Sequence, residues 1–319
     1  MIRLRYTGLC WLVLIVGTIQ KLHAQQFDTT YISQFEKKNV VELYPGIYGT
    51  SFDFKDRTDR RKDFRLVANS AAFVGGYINY KWLSAKYAVY IPGTSLARNE
   101  KLRFTSFRFR YSTRHMMFHP FYDSYKGLLA AEGTNKRRFE AVRNVSIADA
   151  GLDYYYFFNT KRYSFHSAMF FSEKQVKSAG SLFLMATPMW QRASWKFGAA
   201  PVMPDTMTIQ LLTRNPSWLT LIGRVGYGYN FSFDQGKWMV APTFMAGGGA
   251  LREIKSDDHR LRPVTDVEAT LNAGYNGSRY YVFVAGIWSH QHSDLRLKDM
   301  QKRDSELTLT FGYRFDKLK

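Results

Sequence analysis

The stretch WLTLIGRVGYGYNFSF, residues 218–233, sorts its side chains onto two faces. Leu219, Leu221, Val225, Tyr227, Tyr229, Phe231 and Phe233 share one face with Gly223, and Thr220, Arg224, Gly226, Gly228, Asn230 and Ser232 share the other. A period of two belongs to a strand, whose successive side chains point to opposite faces of a sheet. In a soluble sandwich the apolar face would meet a second sheet. In a transmembrane barrel it meets lipid, while small and polar residues line the lumen. Here the apolar side is long, aromatic at one end and free of charge, which favours lipid. The expected fold is all-β: a single closed antiparallel transmembrane β-barrel.

The first residues fit an exported chain. Arg3 and Arg5 precede an apolar run over residues 9–19, and Leu22, His23 and Ala24 offer cleavage chemistry before Gln25. Residues 1–24 are therefore expected to be a secretory signal peptide, since the run is shorter than the roughly 20 residues of a spanning helix. Cys10 is the only cysteine and lies inside that run, so the mature chain would hold neither thiol nor disulfide. An exported chain without cystines needs another staple, and closed strand pairing supplies one. The formal charge of +19 falls to +16 once Arg3, Arg5 and Lys21 leave with the signal. An exported chain rarely meets nucleic acid, so the expected partners are outer-membrane lipids and anionic lipopolysaccharide. A mean hydropathy of -0.32 argues against a helical membrane protein, and 17% aromatic residues suit the girdles of a barrel.

Residues 25–42 read as a periplasmic leader and 43–319 as the barrel. The first strand is expected over 43–54, ending in a charged loop that contains Arg57, Arg60, Arg61 and Lys62. From 66 to 82, Leu66, Ala68, Ala72, Val74, Ile78, Tyr80 and Trp82 fall on one face, and a tight turn near Leu83 leads to a strand ending at Pro92-Gly93. Over 101–123, Phe107, Phe109 and Tyr111 oppose Arg108 and Arg110, and Phe118 and Tyr122 oppose His115, His119 and Asp123. The inward set reads as a lumen network of ion pairs and hydrogen bonds. His115 and His119 would lie roughly 13 Å apart on one strand, too far for one metal ion. A second basic loop, with Arg137, Arg138 and Arg143, precedes a strand that turns Asp149 and Asp153 inward.

Residues 163–191 carry strand-like sequence on both sides of a polar interruption from Ser172 to Ser181. Single-chain bacterial barrels use even strand numbers, with short turns at the periplasmic end and long loops outside. Parity therefore requires this segment to cross once. The expectation is about twelve strands, the seventh distorted, with a bulge near Gly180. The remaining strands are read over 238–251, 264–275, 279–290 and 305–315, after a proline-bearing loop over 192–217.

Tyr80-Lys81-Trp82-Leu83, the run Gln175-Val176-Lys177-Ser178-Ala179-Gly180-Ser181 and the terminal Gly312-Tyr313-Arg314-Phe315 resemble a Bacteroidota-type family of outer-membrane barrels known only as a domain of unknown function. The likeness spans nearly the whole mature chain. It implies an outer-membrane barrel assembled by the barrel-insertion machinery and supplies no reaction or ligand. The tail Asp316-Lys317-Leu318-Lys319 departs from the terminal aromatic that serves as an insertion signal.

Three constellations could carry function. Glu173, Lys174, Gln175, Lys177, Ser178 and Ser181 concentrate donors and acceptors where a plain strand would alternate, and either bind a polar ligand, fix a lumen plug or mark a bulge. With them, Arg108, Arg110, Arg224, Arg314, Asp153, Glu268 and Glu306 are expected to fill a narrow lumen. A lipid hydrolase would need a serine and its base within hydrogen-bond reach. Its candidates are His290, His292, Ser293 and Asp294, or His166 and Ser172. The basic loops, Arg57, Arg60, Arg61, Lys62, Arg137 and Arg138 among them, suit phosphate groups of lipopolysaccharide. No cofactor or metal is expected. Three functions stay open: a structural, ligand-binding or narrow transport barrel, an outer-membrane phospholipid or lipid A hydrolase, and a soluble periplasmic lipid-binding β-protein.

Overall fold

The computed structural model describes residues 27–58, 63–69, 72–80, 83–97, 103–131, 139–195, 215–254, 259–295 and 298–316. The expected signal peptide, as well as Arg60, Arg61, Lys62, Arg137 and Arg138, lies outside them. In chain order the elements begin with β1 (Ile32–Gln34), β2 (Asn39–Lys55), β3 (Phe64–Val67), β4 (Ala72–Tyr80), β5 (Leu83–Tyr90), β6 (Arg103–Arg108), β7 (Tyr111–Ser112), β8 (Met116–Ala131) and β9 (Phe139–Phe157). They continue with α1 (Phe165–Phe170), β10 (Glu173–Gln175), β11 (Ala179–Trp195), β12 (Ser217–Phe233), β13 (Trp238–Ile254), β14 (Arg262–Asn276), β15 (Tyr280–Asp294) and β16 (Asp299–Phe315).

All pairings are antiparallel. The wall runs β2, β3, β8, β9, β11 through β16, and β16 returns to β2 from Phe315 opposite Asn39 to Asp299 opposite Lys55. Closure removes the free edges that an open sheet would expose, except those of β5 and β6, which among the described residues stay unpaired. The outside is the greasy side. Along β12, Leu219, Leu221 and Val225 are 56%, 59% and 57% exposed, whereas Ile222 between them is fully buried. Leu307, Leu309 and Phe311 on β16 and Leu271 on β14 continue that apolar exterior. A soluble barrel would reverse this pattern, so the expected transmembrane architecture holds and the lipid-binding interior of the soluble alternative does not.

Short connections join β4 to β5, β7 to β8, β12 to β13 and β14 to β15 at one end, where the long β9–β11 connection forms a cap. The β2–β3, β8–β9, β11–β12 and β13–β14 loops lie at the opposite, long-loop end with the short β15–β16 link. The outward aromatics Phe233, Trp238 and Tyr280 gather at the short-turn end, where interfacial rings belong. Beyond the apolar band at the long-loop end, Asp53 is bridged by Arg65 (3.1 Å) and Arg303 (3.4 Å).

Three sequence expectations change. The ring closes with ten strands because β3 pairs directly with β8 (Leu66 opposite Ala130, Val67 opposite Leu129). The strands β4–β5 and β6–β7, which would raise the number to twelve, line only the short-turn half. The uniform face read over 66–82 also breaks. Leu66 pairs with Phe52 but Ala72 with Ile47, an offset of one residue that turns Leu66 inward and leaves Ile78 outward. Finally, residues 163–191 do not form a distorted seventh strand. The wall strand β11 begins at Ala179 and pairs without interruption with β12, Ala179 opposite Asn230 and Gly180 opposite Tyr229. No bulge occurs at Gly180. The polar run before it folds as a separate cap, while the single crossing required by parity is retained.

Inside, two apolar clusters bracket a polar belt. Phe52, Phe54, Leu66, Val145, Trp218 and Ile222 belong to the cluster near the long loops. Met117, Tyr155, Phe157, Phe165, Phe171 and Phe283 belong to the one at the short-turn end. Trp218 and Ile222, apolar residues on the otherwise polar face of β12, are part of this internal filling.

Candidate functional site

The cap is built from residues distant in sequence. Ser164 starts α1 as its N-cap, its hydroxyl accepting from the Ser167 backbone N–H at 3.0 Å, and Phe171 ends it in the left-handed conformation at φ 52°. A helix of six residues has little stability of its own. It is held by stacking of Phe165 on Phe157 (4.2 Å) and of Phe171 on Phe283 (4.3 Å). The following β10 pairs with β1, Gln34 opposite Glu173 and Ile32 opposite Gln175. The presumed leader thus supplies a strand to the cap, and the wall strand β2 begins at Asn39 rather than at residue 43.

Two buried side chains lock this cap to the wall. Gln175 accepts at its side-chain oxygen from the Ser164 N–H (2.9 Å) and from Asn230 (3.0 Å), while its amide donates to the carbonyls of Arg162 (2.6 Å) and Lys177 (2.8 Å). Arg314, 1% exposed, donates to the Gly277 carbonyl (2.6 Å), to the Asn276 side-chain oxygen (2.8 Å) and to the Phe171 carbonyl. Its guanidinium lies between Phe35 (3.7 Å) and Tyr281 (4.1 Å). A buried guanidinium needs its donors satisfied, and here carbonyls and ring faces do this across the cap, the β14–β15 turn and the wall. Glu173 accepts from Arg114 (2.9 and 3.1 Å) and from the Ser164 hydroxyl (2.5 Å). Ser178 accepts from the Ser232 N–H and Ser181 from the Asn159 N–H, both at 2.9 Å. Lys174 pairs across to Ser33, and Lys177 stands near the Tyr31 ring at 5.6 Å. Gly236, at φ +82°, lets the β12–β13 turn pass within contact of the Gln175 carbonyl, where any side chain would clash.

Above the cap the belt crosses the lumen. Arg224 donates to Asp266 (2.5 Å) and Thr187 (2.8 Å), and Thr187 donates to Asp153 (2.8 Å), which also faces His119 at 3.7 Å. Lys302 bridges Asp149 (2.7 Å) and Asp304 (3.6 Å), and Arg108 pairs with Asp123 at 2.6 Å. Glu268 and Glu306 project into the same lumen, on the face shared with Thr270 and Lys302. Arg110 lies lower, its guanidinium 3.5 Å over the Phe170 ring of α1. Burial lowers the His166 pKa in α1, and Glu173 nearby offsets part of that effect.

The hydrolase candidates are not assembled. Ser293 is fully buried on the lumen face, whereas His292 beside it is turned outward, as alternation along β15 requires. His292 lies 4.0 Å from Asp299, and Asp294 and Asp299 are both taken up by Arg57. These groups line an open cleft of about 280 Å³ at the long-loop rim with Thr265. His290 sits outward with Trp288, their rings 6.3 Å apart. Ser172 donates to the His166 backbone carbonyl, not to its imidazole. No group of metal-ligating side chains occurs among the described residues. Sequence reasoning missed Ser164, Arg114, Asn276, Asp266 and Lys302, and it placed Asn230 on the inward face of β12 without its partner Gln175. Asp266 and Lys302 could have been found by extending the period-two reading along their strands, but the cap partners had no local signal.

No curated protein sequence matches the chain. Among solved structures it is similar to the outer membrane protease OmpT from Escherichia coli, at 9% identity and TM-score 0.38, covering 90% of this chain and 100% of that one. It is also similar to the beta domain of the Bordetella autotransporter BrkA, at 12% identity and TM-score 0.40, covering 86% and 99%. A third is the translocator domain of the autotransporter NalP from Neisseria meningitidis, at 9% identity and TM-score 0.37, covering 97% and 98%. The match that identifies the chain is to a family: residues 26–315 fit the one described as "Domain of unknown function (DUF4421)", and the chain belongs to it.

Proposed function

We propose that this chain is an outer-membrane barrel of a Gram-negative, Bacteroidota-type cell envelope, exported by a cleaved signal peptide, whose periplasmic mouth is held shut by its own cap. Its role is structural, ligand binding or gated narrow transport through a polar lumen, and not open diffusion. The observation that carries this is Arg314, a wholly buried cation that ties the cap to the wall by three hydrogen bonds. The basic outer loops are the proposed contact with lipopolysaccharide. Because Arg57 is already engaged by Asp294 and Asp299, that role falls to Arg60, Arg61, Lys62, Arg137 and Arg138. Planar-bilayer recording tests the closed mouth. The wild type is expected to stay silent, and Arg314→Ala, or deletion of residues 165–175, to give discrete openings. Steady large currents from the wild type would refute the closed state.

A further inference from the structure

We propose that the wall between β5 and β6 is a lateral entry for an anionic phospholipid, with its phosphate headgroup held by Lys86 and Arg110 on the inner side and its acyl chains left in the bilayer. Among the described residues β5 pairs only with β4, and β6 only with β8. The direct β3–β8 pairing closes the ring on the long-loop side of this seam, so the two unpaired edges face each other only in the short-turn half. Free backbone donors and acceptors are costly in hydrocarbon, and the seam is therefore where the wall gains most from a polar occupant.

The side chains at the seam specify its charge. Lys86 shares the inward face with Tyr77 and Glu42, and its ammonium lies 4.4 Å over the Tyr44 ring. Arg110 donates to the Tyr77 hydroxyl at 3.4 Å and covers Phe170. Neither cation has a carboxylate at ion-pair distance among the described residues, in contrast to Arg108, which Asp123 neutralises at 2.6 Å. Glu42 attracts Lys86 at longer range but is occupied by the Tyr281 hydroxyl at 2.5 Å, and Glu306 also acts on Lys86 only at a distance. Two unmatched cations that converge on Tyr77, Lys86 as its cross-strand neighbour and Arg110 as donor to its hydroxyl, suit a phosphate.

Depth and flanks favour a lipid over a free anion. Lys86 stands three residues inside the start of β5 and Arg110 three before Thr113 at the β7–β8 turn, each about 10 Å from the short-turn rim, the level of a headgroup. On the outer side, Tyr87, Phe107 and Phe109 are 75%, 58% and 56% exposed and line the path an acyl chain would take. The inference rests on the chain spanning a bilayer and not on the cap being closed, so open currents alone would leave it standing.

The full protein, reconstituted in phosphatidylethanolamine vesicles containing phosphatidylglycerol with an acyl-chain diazirine, tests this. Photolabelling at Tyr87, Phe107 and Phe109 is expected to exceed that at Phe231 and Phe233, outward aromatics near the same rim at 45% and 55% exposure, by about tenfold. The K86Q/R110Q double variant, with unchanged heat-modifiable gel mobility, should lose that preference, and excess inorganic phosphate should not displace the lipid. Even labelling around the wild-type barrel overturns the proposal whether or not the variant folds. So does a preference that survives the double substitution, or one abolished by inorganic phosphate.

Discussion

Arg224 shows how a lumen residue can be essential to the fold without adding net stability. It is 8% exposed and shares its charge with Asp266, also buried, which lies two strands away on β14 across Gly247 of β13. Removing one partner of such a pair leaves an uncompensated buried charge, at a cost of about 3–5 kcal/mol, whereas replacing both by apolar groups can be nearly neutral. Arg224→Met alone should therefore lower the urea stability of the folded barrel by about 3–5 kcal/mol, and Arg224→Met with Asp266→Leu should recover most of it. If the double variant proved as weak as the single one, the pair would be needed for Thr187 and Asp153 as well. The inward position of Arg224 was legible from its place opposite Leu219, Leu221 and Val225. Its partner was not, because nothing local to β12 determines which residue of β14 stands beside it.

The cap shows the limit of local pattern at the scale of an element. Residues 172–181 stood out in the sequence as a break in alternation, but a bulged strand and a cap predict the same break. What separates them is tertiary: β1 pairing with β10, Asn230 donating to Gln175, and Arg314 reaching the carbonyl of Phe171. α1 is too short to announce itself by periodicity. His166 makes the cap sensitive to acid. Burial depresses its pKa below the ordinary value of 6.5, Arg110 and Arg114 push the same way, and Glu173 and the Thr113 carbonyl oppose them. With the folded value below the unfolded one, the unfolded cap binds more protons, so stability rises with pH across the interval between them. The contribution is complete above about pH 6.5 and is lost as pH falls through the folded value. Amide-exchange protection of α1 should be flat from neutral pH down to about pH 6.5 and decline below it until the folded value is passed, and His166→Gln should flatten the decline. A decline of equal size in the variant would assign the acid sensitivity to another group.

For the whole molecule, what was legible is which way the faces of the uninterrupted strands look, since a period of two fixes that from sequence alone; the one-residue offset between β3 and β4, which turns Leu66 inward, was not. Less legible was the size of the ring. Twelve strand-like segments are present, but β3 takes the place beside β8 at one end, and the pairs β4–β5 and β6–β7 reach only partway up the wall. A choice between ten and twelve depends on register between distant segments, which alternation does not encode. The outward face makes a quantitative claim about solvent. If lipid surrounds the barrel, the cost of a charge on that face must depend on depth and not merely on exposure. Val225 and Phe233 are almost equally exposed, at 57% and 55%, but Phe233 adjoins the β12–β13 turn while Val225 lies well inside the apolar band. Val225→Arg should cost about 2–4 kcal/mol in unfolding from lipid vesicles and Phe233→Arg only about 0–1 kcal/mol, because a charge near the rim reaches the interface. In water the two sites would respond alike. Equal penalties in vesicles would therefore mean that the greasy exterior meets another protein surface instead of a bilayer, and the vesicle measurement separates those solvents without any knowledge of a ligand.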